Sequence, residues 1–177
     1  MAHKEQLEYI RELKAKFKKN FVSKKVLEIG SLNINGSVRQ YFECCDYLGI
    51  DVGKGKGVDL VVGGHEYDAA SESYDTVISC ECFEHNPFWL ETFTNMHRMC
   101  KVGGLIIMTC ATTGRPEHGT TRTSPKDSPL TLETWDYYRN LTENDFTDKI
   151  DIANLFSEFK FSVNYKHRDL QFYGFKR

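Results

Sequence analysis

Five short runs in this chain, Lys25 to Ile29 (KVLEI), Tyr47 to Ile50 (YLGI), Asp59 to Val62 (DLVV), Thr76 to Cys80 (TVISC) and Leu105 to Thr109 (LIIMT), are mostly apolar at successive positions rather than at every second one. A strand that is apolar on both sides needs cover on both faces, which points to a sheet held between two layers. Segments expected to be helical alternate with these runs. Between the fourth and fifth, NPFWLETFTNMHRMCKVGG puts Pro87 at a helix start, Leu90, Phe93 and Met96 or Met99 on one face, and Gly103 and Gly104 at a stop. That is a crossover helix, and the alternation predicts right-handed βαβ units in a doubly wound α/β sheet. The chain ends differently: FKFSVNYKHRDLQFYGFKR holds two more runs, Phe161 to Tyr165 and Leu170 to Phe175, too close together for a crossover. They read as an antiparallel hairpin.

With 177 residues, 40% of them apolar and 27% charged, the chain is of a size for one domain, residues 1–177, with a full core. The formal net charge of −2 gives no global electrostatic case for a nucleic-acid partner. Lysines do gather at positions 14, 16, 18, 19, 24 and 25, but Glu5, Glu8 and Glu12 share that segment, so it reads as a solvated helix face. Within residues 3–19, Leu7, Ile10, Leu13 and Phe17 form one apolar stripe, as expected of a lid-like helix packed on the domain. No run approaches the roughly 20 apolar residues of a membrane span, and the start MAHKEQLEYI lacks the apolar core of a secretion signal. The expectation is a cytoplasmic protein with no membrane partner, a monomer or homodimer. Its six cysteines lack C-x-x-C spacing and read as reduced, packed thiols, with no metal site expected.

Residues 111–149 form a long irregular insert, rich in Gly, Pro, Ser and Thr at first and carrying Trp135, Tyr137, Tyr138 and Phe146 later. Placed after a strand's carboxyl end, such a segment is expected to serve the acceptor side of a site. The stretch KVLEIGSLNINGS supplies the other side. Glu28 stands near the end of the first strand, Gly30 to Gly36 reads as a tight turn into a helix, and Asp51 ends the second strand about 20 residues on, where an acid accepts hydrogen bonds from ribose hydroxyls. A dinucleotide fingerprint would place glycines to cradle a pyrophosphate. Here Leu32, Asn33, Ile34 and Asn35 intervene, and an anionic Glu28 would repel phosphate and welcome an ammonium. A nucleoside with a cationic amino-acid tail is S-adenosylmethionine.

At this point the chain resembles the class I S-adenosylmethionine-dependent methyltransferases, small enzymes with a seven-stranded, mostly parallel Rossmann-like sheet and a C-terminal antiparallel hairpin. VLEIGS matches the first motif, LGID the second, YDTVISC the fourth strand, FEH the following turn and CKVGGLIIM the passage into the fifth strand, so the resemblance covers about residues 24–176. It implies that Glu28 holds the methionine ammonium, that Gly30 and Ser31 let the loop pass close, and that Asp51, with Val52 beside it, takes the ribose. Gly64 and His65 stand at the adenine position, where His65 departs from the family's usual acid and Glu66 could substitute. Cys80, Glu81, Cys82 and Phe83 would line the wall beneath the sulfonium. Leu32 and Ile34 occupy positions that are usually glycine, so Asn33 or Asn35 is expected to supply a left-handed backbone in their place.

Methyl transfer to an oxygen requires removal of a proton, for which His85 in FEHNPFW and His118 with Glu117 in RPEHG are the candidates. A structural turn is the competing reading for His85, and His97 reads as structural. The implied activity is methylation of a small-molecule or glycan acceptor, oxygen preferred, with S-adenosylhomocysteine as product. The alternative is a non-catalytic cofactor-binding or regulatory module of the same fold.

Overall fold

The computed structural model describes residues 4–177; residue 3, the expected start of the first helix, lies outside them. Seven strands form one sheet: β1 (Lys25–Ile29), β2 (Asp46–Asp51), β3 (Leu60–Val61), β4 (Tyr74–Cys80), β5 (Cys100–Ala111), β6 (Phe156–Asn164) and β7 (Asp169–Lys176), in the order β3-β2-β1-β4-β5-β7-β6. The first five pair in parallel, while β7 runs antiparallel to both β5 and β6. This is the expected Rossmann-like sheet with its terminal hairpin.

The side-chain period of two explains why the runs are apolar throughout. Leu27, Ile29, Val77, Ile106 and Met108 face one layer, where they meet Trp89, Phe93, Met96 and Met99 of helix α2 (Trp89–Met99), and also Phe146 of α3 (Glu143–Thr147) and Ile152 of α4 (Ile152–Leu155). Val26, Ile78, Leu105, Ile107 and Tyr173 face the other layer, against Ile10 and Leu13 of α1 (Lys4–Lys16) and Phe21. The charged remainder of α1 stays wet, as its stripe predicts.

Three expectations need correction. Segments between the first four strands do not form α-helices: a short 3₁₀ turn at Val38–Tyr41 connects β1 to β2, and loops connect β2 to β3 and β3 to β4. The two later connections are short and carry Gly53, Gly55, Gly57, Gly63 and Gly64, which disfavour a helix. Pro87 precedes α2 rather than opening it, since Phe88 is the N-cap; the Asn86 side chain organises that turn by accepting from Phe88 N at 2.8 Å and donating to Thr92 Oγ1 at 2.9 Å. The helix stops at Met99, and Gly103 and Gly104 lie inside β5, beside an irregularity in its pairing with β4 at Tyr74 and Thr76. The two glycines serve a bulged strand entry instead of a helix end.

Candidate active site

The sheet order reverses direction between β1 and β4, and in such sheets a crevice opens at the carboxyl ends of the strands on either side of that point. The loop after β1 follows the edge of β2 closely. Gly30 N and Ser31 N both donate to Ile50 O, at 2.9 and 3.1 Å, Leu32 N donates to Asp51 Oδ2 at 3.0 Å, and Asn33 N donates to Lys56 O at 2.8 Å. Gly30 has φ of +78°, and a Cβ there would sit 2.6 Å from Cys82 Cβ, so only glycine lets the loop cross the β4 end at this height. Asn33 and Asn35 are absent from the left-handed residues, which corrects the expectation placed on them; Gly30 and Gly36 carry the positive φ. The physical reason is that Asn33 has another task, accepting from Gly36 N at 3.0 Å through its side chain.

Asp51 is the centre of the crevice. Its carboxylate accepts from Leu32 N and, at 2.8 Å, from Val52 N, and burial outweighs these bonds in raising its pKa. Two adjoining cavities share Gly30, Asp51, Cys82 and Thr131. One, of about 30 Å³, is walled by Ile29, Val52, Val62, Gly64, Asn86 and Trp135. The other, of about 50 Å³, is walled by Leu32, Ile34, Glu81, His85, Asp127 and Leu130. Both are narrow, with room for a few water molecules. The insert forms the outer wall through Asp127, Leu130, Thr131 and Trp135, and Trp135 Nε1 donates to His85 O at 2.5 Å.

Glu28, expected to point into the site, lines neither cavity. It is 5% exposed, accepts from Tyr47 Oη at 2.8 Å, and burial pushes its carboxyl up to about 8 against the pull of Tyr47 and Arg39. Ser31 is also buried, and its Oγ has no hydrogen-bond partner, which leaves a free polar atom under the loop. Glu81, at φ of +51°, is turned into the larger cavity and accepts from Thr109 Oγ1 at 3.0 Å. Cys82 lines both cavities, but burial holds its thiol up at about 12, so it is a neutral wall and not a nucleophile.

Beyond Glu81 lies a polar cluster. The donor atoms of Glu84, His85 and His118 all lie within 4.8 Å of one another. His85 and His118 meet edge to face at 5.0 Å between ring centres, and Tyr138 packs on both. Gly119 makes this approach possible: it has φ of +65°, and a Cβ there would stand 2.6 Å from His85 Cε1. Burial pushes His85 down to about 3 and lowers His118, and it raises Glu84 to about 8 with help from Glu81, so the cluster favours neutral forms.

The folded chain thus brings Gly30, Asp51, Val52, Gly64, Glu81 and His85 of the sequence-derived residues to the cavity walls. Cys80 instead faces the α1 layer, and Phe83 is fully buried in the α2 layer, against Phe93 and Phe146. His65 stacks on Phe88 at 4.1 Å, beside Trp135. Glu117 is engaged with Thr120 Oγ1 at 2.7 Å and Arg122 Nε at 3.0 Å, and the carboxylate that meets the imidazoles is that of Glu84. Sequence reasoning passed over Glu84, Leu130 and Thr131. For Glu84 a signal existed, its place beside His85 in FEH; for the insert residues there was none. His97, as expected, is structural, with Nε2 3.3 Å from Leu155 O. All six cysteines are free thiols, and none of the helices among the described residues is long and apolar enough to cross a membrane.

Comparison with known proteins agrees with this arrangement. No curated protein matches the chain by sequence. Among solved structures, a Burkholderia thailandensis 1,6-didemethyltoxoflavin N1-methyltransferase superposes with a TM-score of 0.64 at 14% identity, over 96% of this chain and 76% of that one. The CurJ carbon methyltransferase gives 0.65 at 13% identity, over 96% of this chain and 53% of its own. A Haemonchus contortus phosphoethanolamine N-methyltransferase 2 gives 0.62 at 23% identity, over 92% of this chain and 39% of its own, so the chain spans about half or less of these last two. These likenesses share the fold. The sequence itself goes further, because a family model described as a methyltransferase domain matches residues 1–166, nearly the whole length that carries the loop, Asp51 and the polar cluster: the chain belongs to the methyltransferase-domain family.

Proposed function

We propose that the protein transfers a methyl group from S-adenosylmethionine to a hydroxyl of a small-molecule or glycan acceptor. The observation that carries this reading is the pair of adjoining cavities meeting at Asp51, one largely apolar and the other ending in Glu81 and His85. The lining of the smaller cavity suits adenine once the insert moves outward to widen it, with Val52, Val62 and Trp135 over the Gly64 backbone, and Asp51 suits the ribose hydroxyls. The methionine end falls to the glycine loop, where unpartnered Ser31 Oγ and the buried Glu28 carboxyl are the polar groups available to an amino-acid tail. When bound, the cofactor supplies an electrophilic methyl on a sulfonium.

The chain's own contribution is to position the two reactants in line, to exclude water and to take the acceptor's proton. The insert supports the second task, since Leu130, Thr131 and Trp135 close the crevice from outside. The half-buried His118 is the imidazole placed to accept the proton and exchange it with solvent, whereas His85, pushed down to about 3, is too weak a base for that task and serves as a wall of the site. The Burkholderia and Haemonchus enzymes are N-methyltransferases and CurJ is a carbon methyltransferase, so they support methyl transfer without fixing the acceptor atom. Calorimetric titration with S-adenosylmethionine and S-adenosylhomocysteine, with NAD as control, tests the reading. Roughly micromolar binding of the first two alone supports it; no binding of either defeats it. Leu32 and Ile34, which fill loop positions where glycines would leave space, favour a second reading in which the cofactor binds without turnover. Cofactor binding with no transfer across broad acceptor panels would select it.

A further inference from the structure

We propose that Glu84, His85 and His118 form a binding site for one divalent transition-metal cation. The cluster is a two-histidine, one-carboxylate set, a donor combination that suits zinc, iron(II), cobalt(II) and their neighbours better than magnesium or calcium. Its members come from two separate elements: Glu84 and His85 from the 3₁₀ turn Phe83–His85 after β4, and His118 from the insert.

Two observations point to a ligand beyond the mere presence of these residues. Glu84 is fully buried and neither of its carboxylate oxygens has a hydrogen-bond partner of normal geometry. His85 is 3% exposed and neither ring nitrogen has one either. The backbone of Ala111 acts on Glu84 and that of Tyr137 on His85, but neither makes a hydrogen bond of normal geometry, and burying four such atoms side by side is costly unless something else completes the bonding. His118 Nδ1 lies 3.1 Å from Pro116 O, which a neutral imidazole can satisfy by donating from that nitrogen, and this leaves Nε2 free as a ligand.

The spacing is close to what an ion needs. Donors about 2.1 Å from a tetrahedral ion stand roughly 3.4 Å apart, and the three groups now lie within 4.8 Å. Small side-chain rotations close that gap, and Glu84 and His85 have no hydrogen bonds of normal geometry to give up in making them. The surroundings favour a cation too. Glu81 lies near enough to act electrostatically on all three groups, while Arg115, whose charge still lowers His118, is paired with Asp169 at 2.6 Å. Because His85 lines the larger cavity, the side of the ion not held by protein would open toward bound ligand. Occupancy also takes the His118 imidazole out of proton transfer, so ion binding and histidine-mediated proton removal exclude one another.

The proposal rests on this geometry and not on the methyl-transfer reading, and one set of measurements separates the two. The full chain, stripped with chelator, is titrated with zinc by calorimetry and with cobalt(II) by visible absorption, in parallel with S-adenosylhomocysteine. One zinc per chain, cobalt bands of nitrogen and oxygen ligation, and a loss of at least roughly tenfold in affinity in His118→Ala support the site. His118 is half-buried, so this variant should fold, which circular dichroism checks. Glu84→Gln, if it folds, should lose affinity as well, whereas a Cys44→Ser, Cys45→Ser double variant, which removes the exposed Cys44 thiol and its half-buried neighbour, should not. No saturable binding, thiolate bands in the cobalt spectrum, or undiminished affinity in His118→Ala would overturn it. Homocysteine-cofactor binding without metal binding would sink this inference and leave the function standing; the reverse would do the opposite.

Discussion

Replacing Glu28 by glutamine isolates the cost of a carboxyl buried near the end of β1. The side chain is 5% exposed, and its pKa rises from an ordinary 4.5 to about 8, chiefly through burial. Between those values the native state keeps a proton that the unfolded chain has released. Stability from this group is therefore fully present below pH 4.5 and is lost as pH rises through about 8. One proton contributes a slope of at most about 1.4 kcal/mol per pH unit, so the whole window amounts to about 5 kcal/mol at its upper limit, reduced by any water that enters around the ion. Glutamine keeps an acceptor for Tyr47 Oη and never ionises. Urea unfolding at pH 5, 6, 7 and 8 should then show the wild type falling relative to Glu28→Gln, by up to about 4 kcal/mol across these three pH units. Parallel profiles would refute the buried, protonated carboxyl. The same group makes a binding prediction. If a cofactor ammonium pairs with Glu28, the carboxyl ionises on binding, and S-adenosylhomocysteine titrated at pH 7 in buffers of different ionisation enthalpy should release up to about one proton in wild type and none in the variant.

Asp51→Ala should weaken S-adenosylhomocysteine by about 2 to 3 kcal/mol, because it removes both a ribose acceptor and the clamp on Leu32 N and Val52 N; calorimetry showing wild-type affinity would remove Asp51 from the site. Gly30→Ala should lower stability by about 2 kcal/mol or more, from the left-handed φ and the collision with Cys82. Cys82→Gly in the same chain should recover part of that loss in thermal melts, and no recovery would mean the contact is not what requires glycine. Trp135→Phe keeps an aromatic wall beside Phe88 but loses the donor to His85 O, so cofactor affinity should fall by about 1 kcal/mol with the fold intact. His118→Ala, assayed without added metal, should bind cofactor as wild type while turnover drops about a hundredfold or more, and equal turnover at saturation would rule out proton removal by this residue.

How much of this was legible beforehand depended on how local the cause was. Strand positions followed from consecutive apolar residues: β1 appears at Lys25–Ile29 as expected, β3 is shorter than its run, at Leu60–Val61, and the other strands are longer than theirs, most at β5 and β6. The added length comes from pairing: β7 pairs along β6 and with Leu105 to Ala111 of β5, and Cys100 of β5 pairs with Tyr74 of β4. Glu28 and Asp51 were legible because a strand end fixes where a side chain stands. What Glu28 then does was not legible, because its partner Tyr47 belongs to the neighbouring strand and its ionisation depends on burial.

Sequence alone thus determined the sheet, its parallel core, its terminal hairpin and the crevice at the strand ends, since periodicity and connection length are properties of short stretches. Tertiary structure alone decided that residues 127–135 wall that crevice and that Glu84 and His85 meet His118 across the insert. These outcomes depend on how an irregular loop packs against a distant turn, and side chains more than 30 residues apart in sequence meet only because the backbone between them folds back, which no local pattern encodes.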